Sequence, residues 1–270
     1  MRTNLNQTLL SLACLVAASS LSAEESTSLF NGKDFEGWKL LTRKAEEGLG
    51  EKIFSINESG EIHIYRDFPD GYQLDGKKND THAIMVTEKS YQRYHFTWEY
   101  KWGTKKLNNF GKYQYDSGMF YHVQQAKVWP QGYEYQIRWD HRTNQNHTGD
   151  IWNCEVGFRW SQSENKTWLP VSQGGKPVPH AGGQHLAKPD VLVHALDGEW
   201  NQCEVIVMGN DFAIQKLNGV VVNVLTELEH DSGPIAMQAE TAEIFYRNLK
   251  IQEFSKSLPL SDFFKEKPAK

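Results

Sequence analysis

A chain of 270 residues with 34 acidic against 29 basic side chains has a formal net charge of −5, which excludes a nucleic-acid binder built on a basic surface. Its 12% aromatic content, nine Trp among them, calls for a large aromatic core or for flat platforms on which sugars stack. Three Cys without a CxxC pair argue against a structural zinc site.

Residues 1–23 read as a signal peptide. Arg2 supplies the positive start, Leu9 to Ala18 a short apolar run, and Ser20, Ser22 and Ala23 the small residues of a cleavage site. The run is too short to span a bilayer, and Ser11-Leu12-Ala13 before Cys14 matches a lipobox poorly. The expected location is therefore periplasmic or secreted, with no membrane span. Cys154 and Cys203 survive processing; in an oxidising compartment they form either a bridge or two buried thiols.

Strand signals dominate the rest. "EIHIY" (61–65) and "HAIMVT" (82–87) are short apolar runs. In "YQRYHFTWEYKW" (91–102), Tyr94, Phe96, Trp98, Tyr100 and Trp102 share one face. "SGMFYHV" (117–123) follows. In "YEYQIRWD" (133–140), Tyr133, Tyr135, Ile137 and Trp139 alternate strictly with Glu134, Gln136, Arg138 and Asp140. Residues 141–194, rich in Gly, Pro, His and Asn, read as ordered loops over one mouth of the fold. "NQCEVIVM" (201–208) precedes "DFAIQKLNGVVVNV" (211–224), where Asn218-Gly219 predicts a two-residue hairpin. "GPIAMQAE" (233–240) and "EIFYRNLKI" (243–251) close the pattern, and 256–270 form a polar tail that is docked or frayed. Helical periodicity is nearly absent, so the expected fold is an all-β sandwich.

Five segments in order carry a resemblance over nearly the whole mature chain. They are "SLFNGKDFEGW" (28–38), "DSGMFYHV" (116–123), "VWPQGYEYQI" (128–137) with "GDIWN" (149–153), "GEWNQCEVIVMGNDFAIQKLNG" (198–219) and "GPIAMQAETAEIFYRNLKI" (233–251). Together they resemble the 3-keto-disaccharide hydrolase domain family. The resemblance implies that 24–255 form one catalytic domain, a concanavalin-A-like jelly-roll sandwich of two curved antiparallel sheets. It also implies an exported enzyme acting on an oxidised sugar or glycoside.

On such a sheet the aromatic parity of 133–139 fills the core, and Glu134, Gln136, Arg138 and Asp140 face a groove. By the same parity Asp116, Gly118, Phe120 and His122 share a face, as do Ala236, Gln238 and Glu240. The implied reaction starts from a 3-keto group that acidifies the hydrogen on C2, and it needs a base, an acid and a positive charge near the sugar oxygens. Glu134 and His122 are the candidate catalytic pair. Gln136, Arg138, Asp140, Gln238, Trp129 and Trp152 are candidate substrate contacts. A divalent metal on Glu134, Glu240 and Asp116 would fit the same chemistry.

Plainer roles exist for each. A charged strand face is ordinarily solvated surface, His122 can be a hydrogen-bonded semi-buried side chain, and Asp116 can serve the Asp-Ser-Gly turn. A two-carboxylate hydrolase is disfavoured, since the Glu-x-Asp-x-x-Glu pattern of laminarinase-like jelly rolls is absent. A non-catalytic lectin-like module remains the alternative that the same fold supports.

Overall fold

The computed structural model describes residues 25–72, 80–108 and 115–265. The expected signal peptide and the last five residues of the tail lie outside the described residues. No helix within them is long and apolar enough to cross a membrane.

In chain order the strands are β1 (Thr27–Ser28), β2 (Trp38–Thr42), β3 (Phe54–Ile56), β4 (Ile62–Ile64), β5 (Ala83–Thr87), β6 (Arg93–Lys106), β7 (Tyr115–Gln125) and β8 (Gln131–Asp140). They continue with β9 (Gln145–Asn146), β10 (Ile151–Gln162), β11 (Lys176–His185), β12 (Asn201–Met208), β13 (Phe212–Leu217), β14 (Val220–Thr226), β15 (Ala236–Ala239) and β16 (Ala242–Glu253). Among the described residues there is a single α-helix, Leu49–Ile53, which packs against β2 and β3.

The strands form two antiparallel layers of a jelly-roll sandwich. The front sheet runs β2-β5-β15-β7-β8-β10, and the back sheet runs β14-β13-β12-β6-β16-β4-β3. They are joined where Arg159 of β10 pairs with Thr226 of β14. Tyr94, Phe96, Trp98 and Tyr100 of β6 face Tyr133, Tyr135 and Ile137 of β8, all fully buried. Trp98 meets Tyr135 edge-on at 5.1 Å between ring centres. The two phenols of β8 each reach a backbone carbonyl, Tyr133 that of Gly157 at 2.7 Å and Tyr135 that of Lys216 at 2.9 Å, so these rings are buried without stranding their hydroxyls. Asn218 and Gly219 take φ of 48° and 78°, the paired left-handed values of the hairpin turn expected there.

Residues 141–194 differ from the expected loops. They contain β10 and β11, a long antiparallel pair with two register shifts. Pro177, Pro179, Gly182 and Gly183 hide the alternation in β11; such residues are tolerated because β11 pairs only with β10 and is an edge strand. The two cysteines are free thiols: Cys203 lies in the core and Cys154 on the outer side of the front sheet. The tail docks as far as it is described, with Phe263 against Phe212 and Phe254, and Phe264 against Trp168.

Candidate active site

The outer face of the front sheet is built by cross-strand register. Glu134 stands across from Phe120, Gln136 from Gly118 and Arg138 from Asp116. On the next strand Ala236 pairs with Phe120 and Met237 with Met119, which sets Gln238 beside Gly118. One end of this face is apolar, with Ile84, Val86, Phe120, Val123 and Ala236 in a cluster separate from the main core. The other end gathers Asp116, Glu134, Arg138 and Glu240. Glu240 sits at the corner where the chain leaves β15 for β16. Its carbonyl is gripped there by the Tyr65 hydroxyl at 3.1 Å and the Asn108 amide at 2.6 Å, and Thr241 Oγ1 accepts from the Asp116 backbone N–H at 2.9 Å.

Three carboxylates and one guanidinium in a buried cluster cannot all be ionised cheaply, because one positive charge offsets only one of three negative ones. Burial pushes Asp116 and Glu134 well above the usual carboxylate range; Glu240 adds to this at Asp116, Asp116 adds to it at Glu134, and Arg138 opposes it at both. Burial and Glu134 push Glu240 up to about 8, again against Arg138. At neutral pH the cluster therefore holds at least one carboxylic proton.

Glu134 is further marked by what does not hold it. Its carboxyl folds over Gly118, where a Cβ would collide with its Oε1. Among the described residues no group donates a hydrogen bond to it. The back sheet contains a natural control: Glu243 folds in the same way over Gly103. It accepts from His63 Nε2 at 2.8 Å, Lys105 Nζ at 3.0 Å and the Thr104 N–H at 2.9 Å. Burial raises its pKa, but these donors overcome that and hold it down at about 2. Glu243 is a satisfied structural carboxylate, and Glu134 is the same geometry without its donors.

The neighbouring predicted residues divide. Gln136 is buried and spends its amide on the frame, donating to Asp116 Oδ1 at 2.5 Å and to the Ser117 carbonyl at 3.0 Å. Gln238 is fully buried, and neither amide end has a partner among the described residues. Trp152 is half-buried and paired across from Glu134. Trp129, on the β7–β8 loop, lies against His82 at 4.8 Å between ring centres and under the Arg43 guanidinium at 5.1 Å. Beside it opens a cleft of about 580 Å³ lined by Leu41, Arg43, Lys127, Trp129 and Glu155.

Two predicted residues leave the outer face of the front sheet. His122 takes φ 51° at a register shift between Tyr121 and Gln125, a bulge that breaks the alternation. The bulge turns the ring away from the groove face. It packs against Tyr121 and Tyr133, with Nε2 3.0 Å from the Gly209 carbonyl, and burial pushes its pKa down to about 4. Asp140 ends β8 as a turn cap, accepting from the N–H groups of Arg142 at 3.0 Å and Thr143 at 3.3 Å. His122→Ala should therefore cost about 1–3 kcal/mol of stability and leave turnover unchanged, read by denaturant melts beside kinetics.

Of the expected metal ligands Glu134, Glu240 and Asp116, all three join the cluster, and among the described residues no group of three or more His, Cys, Asp or Glu side chains is placed to hold an ion. Arg138 supplies a positive charge within the cluster. His82 and Arg43 join the same face without having been singled out in the sequence. Burial and Arg43 push His82 down to about 3, so it is a neutral imidazole there. Its parity with Ile84 and Val86 was readable, but which face those residues take depends on the pairing of Ile84 with Gln238.

The cluster also sets a pH dependence of stability. Glu240 titrates at about 8 in the folded chain against an ordinary 4.5, so between these values the folded chain keeps a proton the unfolded chain has lost. Its contribution is fully present below 4.5 and is lost as the pH rises through 8. Melting temperature should thus fall from pH 5 to 9 in the native protein, and Glu240→Gln should flatten that fall.

Comparisons with known proteins bear on the family and the fold. A family described as 3-keto-alpha-glucoside-1,2-lyase-like domain matches residues 25–252. Among curated proteins, none matches the chain. A provisionally assigned glycosyl hydrolase from Parabacteroides distasonis is similar in fold at 23% identity and a TM-score of 0.50, over 84% of this chain and 93% of that one. A second from the same organism has 19% identity and a TM-score of 0.48, over 85% and 100%. The carbohydrate-binding module CBM66 from Bacillus subtilis shares 8% identity with a TM-score of 0.45, over 80% and 96%.

Proposed function

The chain belongs to the 3-keto-alpha-glucoside-1,2-lyase-like domain family, and from that premise we propose that it is an exported enzyme that cleaves the glycosidic bond of 3-keto-glycosides by elimination. The observation that carries this reading is Glu134, buried over Gly118 without a hydrogen-bond donor and beside a carboxyl that titrates at about 8. The C3 ketone acidifies the C2 hydrogen. Glu134 takes that proton, and the electron pair left on C2 passes into the ketone as an enolate. The enolate collapses to a C1–C2 double bond as the C1–oxygen bond breaks. The departing oxygen takes its proton from Glu240. Arg138 offsets the negative charge that builds on the sugar oxygens.

The net change is one proton moved from C2 to the leaving oxygen, with no oxidant or reductant consumed. Glu134 finishes protonated and Glu240 ionised. The proton returns from Glu134 to Glu240 before the next turnover, within a cluster where Glu240 acts on Asp116 and Asp116 on Glu134. A raised pKa serves Glu134 as a base, because proton-abstracting power grows with basicity until the group ceases to ionise near neutrality. The cleft at Trp129 is assigned to the leaving group, with an aromatic face for a second ring and Arg43, Lys127 and Glu155 for its hydroxyls.

The test is incubation of the purified protein with a 3-keto-glucoside and, separately, its unoxidised parent. Release of the aglycone together with an absorbing enone, from the keto sugar alone, is expected. Retention on a glycan column with no product from either sugar would replace this reading with a lectin-like one.

A further inference from the structure

Gln238 has no part in the proton transfers above, yet its state is unusual. It is fully buried, and neither Nε2 nor Oε1 has a partner among the described residues. Buried amides are nearly always paired in folded proteins. The contrast lies one strand away: Gln136, on the opposite side of Gly118, donates to both Asp116 and Ser117. Gln215, the other buried amide with an open end, still reaches the Tyr121 hydroxyl at 3.3 Å. The cross-strand neighbours of Gln238 cannot help, since Ile84 on one side carries no polar atom and Gly118 on the other has no side chain. Both hydrogen-bonding ends of this amide therefore remain available to a bound ligand.

We propose that Gln238 is the group that recognises the keto sugar and steadies its enolate. An amide presents one donor end and one acceptor end in a single plane. The complementary ligand is a carbonyl beside a hydroxyl, which a 3-keto pyranose offers at C3 and C4. Nε2–H donates to the C3 oxygen, and Oε1 accepts from the C4 hydroxyl. Gly118, on β7 between the two strands, lets the Glu134 carboxyl on β8 reach across toward Gln238 on β15. C2, on the far side of C3 from C4, then faces Glu134. As C2 loses its proton, charge moves onto the C3 oxygen and the Nε2–H bond strengthens, so the contact favours the transition state over the bound substrate. This assignment rests on the elimination reading above.

The experiment compares native protein with Gln238→Met, which keeps the shape and removes both polar ends. With the keto glycoside, kcat/KM is expected to fall about 100-fold, mostly in kcat, the size seen when one oxyanion donor is lost. Melting temperature should hold or rise, because an unpaired buried amide is removed. If Gln238→Met does not fold, Gln238→Glu serves in its place: its loss of kcat/KM should deepen as the pH rises and the new carboxyl ionises beside the forming enolate. Turnover by a folded variant at the native kcat/KM, or a loss confined to KM for the Met form, overturns the assignment. Native protein without any activity on keto glycosides overturns the elimination reading instead, so the two failures are told apart.

Discussion

Glu134→Gln should lower kcat/KM for a 3-keto-glucoside by about 1,000-fold while the protein stays folded. General-base catalysis contributes roughly 100- to 10,000-fold, and the amide cannot accept the C2 proton. Stability should move the other way. Asp116 helps push the Glu134 carboxyl up, and Glu134 in turn helps push Glu240 up. Removing its charge relieves like-charge repulsion, so the melting temperature above neutral pH should rise rather than fall. The same substitution removes one cause of the upward shift at Glu240, and the alkaline fall in stability should become shallower. Kinetics and melting curves from pH 5 to 9 read all three effects. Native turnover by a folded Glu134→Gln protein would remove Glu134 from the mechanism.

Gly118→Ala should be nearly as damaging to turnover, through position alone. The new Cβ would collide with the Glu134 carboxyl, touching its oxygen and both neighbouring carbons. Displacement of a reacting group by about 1 Å costs on the order of 100-fold in rate. The back sheet supplies the matched control, since a Cβ at Gly103 would strike the Glu243 carboxyl in the same manner. Gly103→Ala should pull Glu243 from His63, Lys105 and the Thr104 N–H. That leaves a buried carboxylate short of donors, and it should destabilise the protein by about 1–3 kcal/mol without changing kcat/KM. Equal effects of the two substitutions on activity would show that Glu134 is held for stability, as Glu243 is.

Much of this was legible in the amino-acid order because strand alternation is local. The Tyr133, Tyr135 and Ile137 parity is core, the Glu134, Gln136 and Arg138 parity is not, and Asn218-Gly219 turns as its residues require. These follow from the two-residue period of a strand and the φ that Gly and Asn tolerate. Two of the misreadings share one cause, since alternation stops where a strand bulges or ends. His122 lies in a bulge whose φ of 51° no neighbouring residue announces, and Asp140 is drawn into the turn that follows β8.

Sequence alone determined the layer type, the composition of the core and which side of β8 is polar, because each depends on residues a few positions apart. Only tertiary structure decided that Asp116, Glu134, Arg138 and Glu240 share one cluster, that Glu243 has donors where Glu134 has none among the described residues, and that Gln238 has no partner among them. Those outcomes depend on which strands lie side by side, here β15 between β5 and β7. That order is set by burial summed over the whole sandwich, so no short stretch of the chain records it.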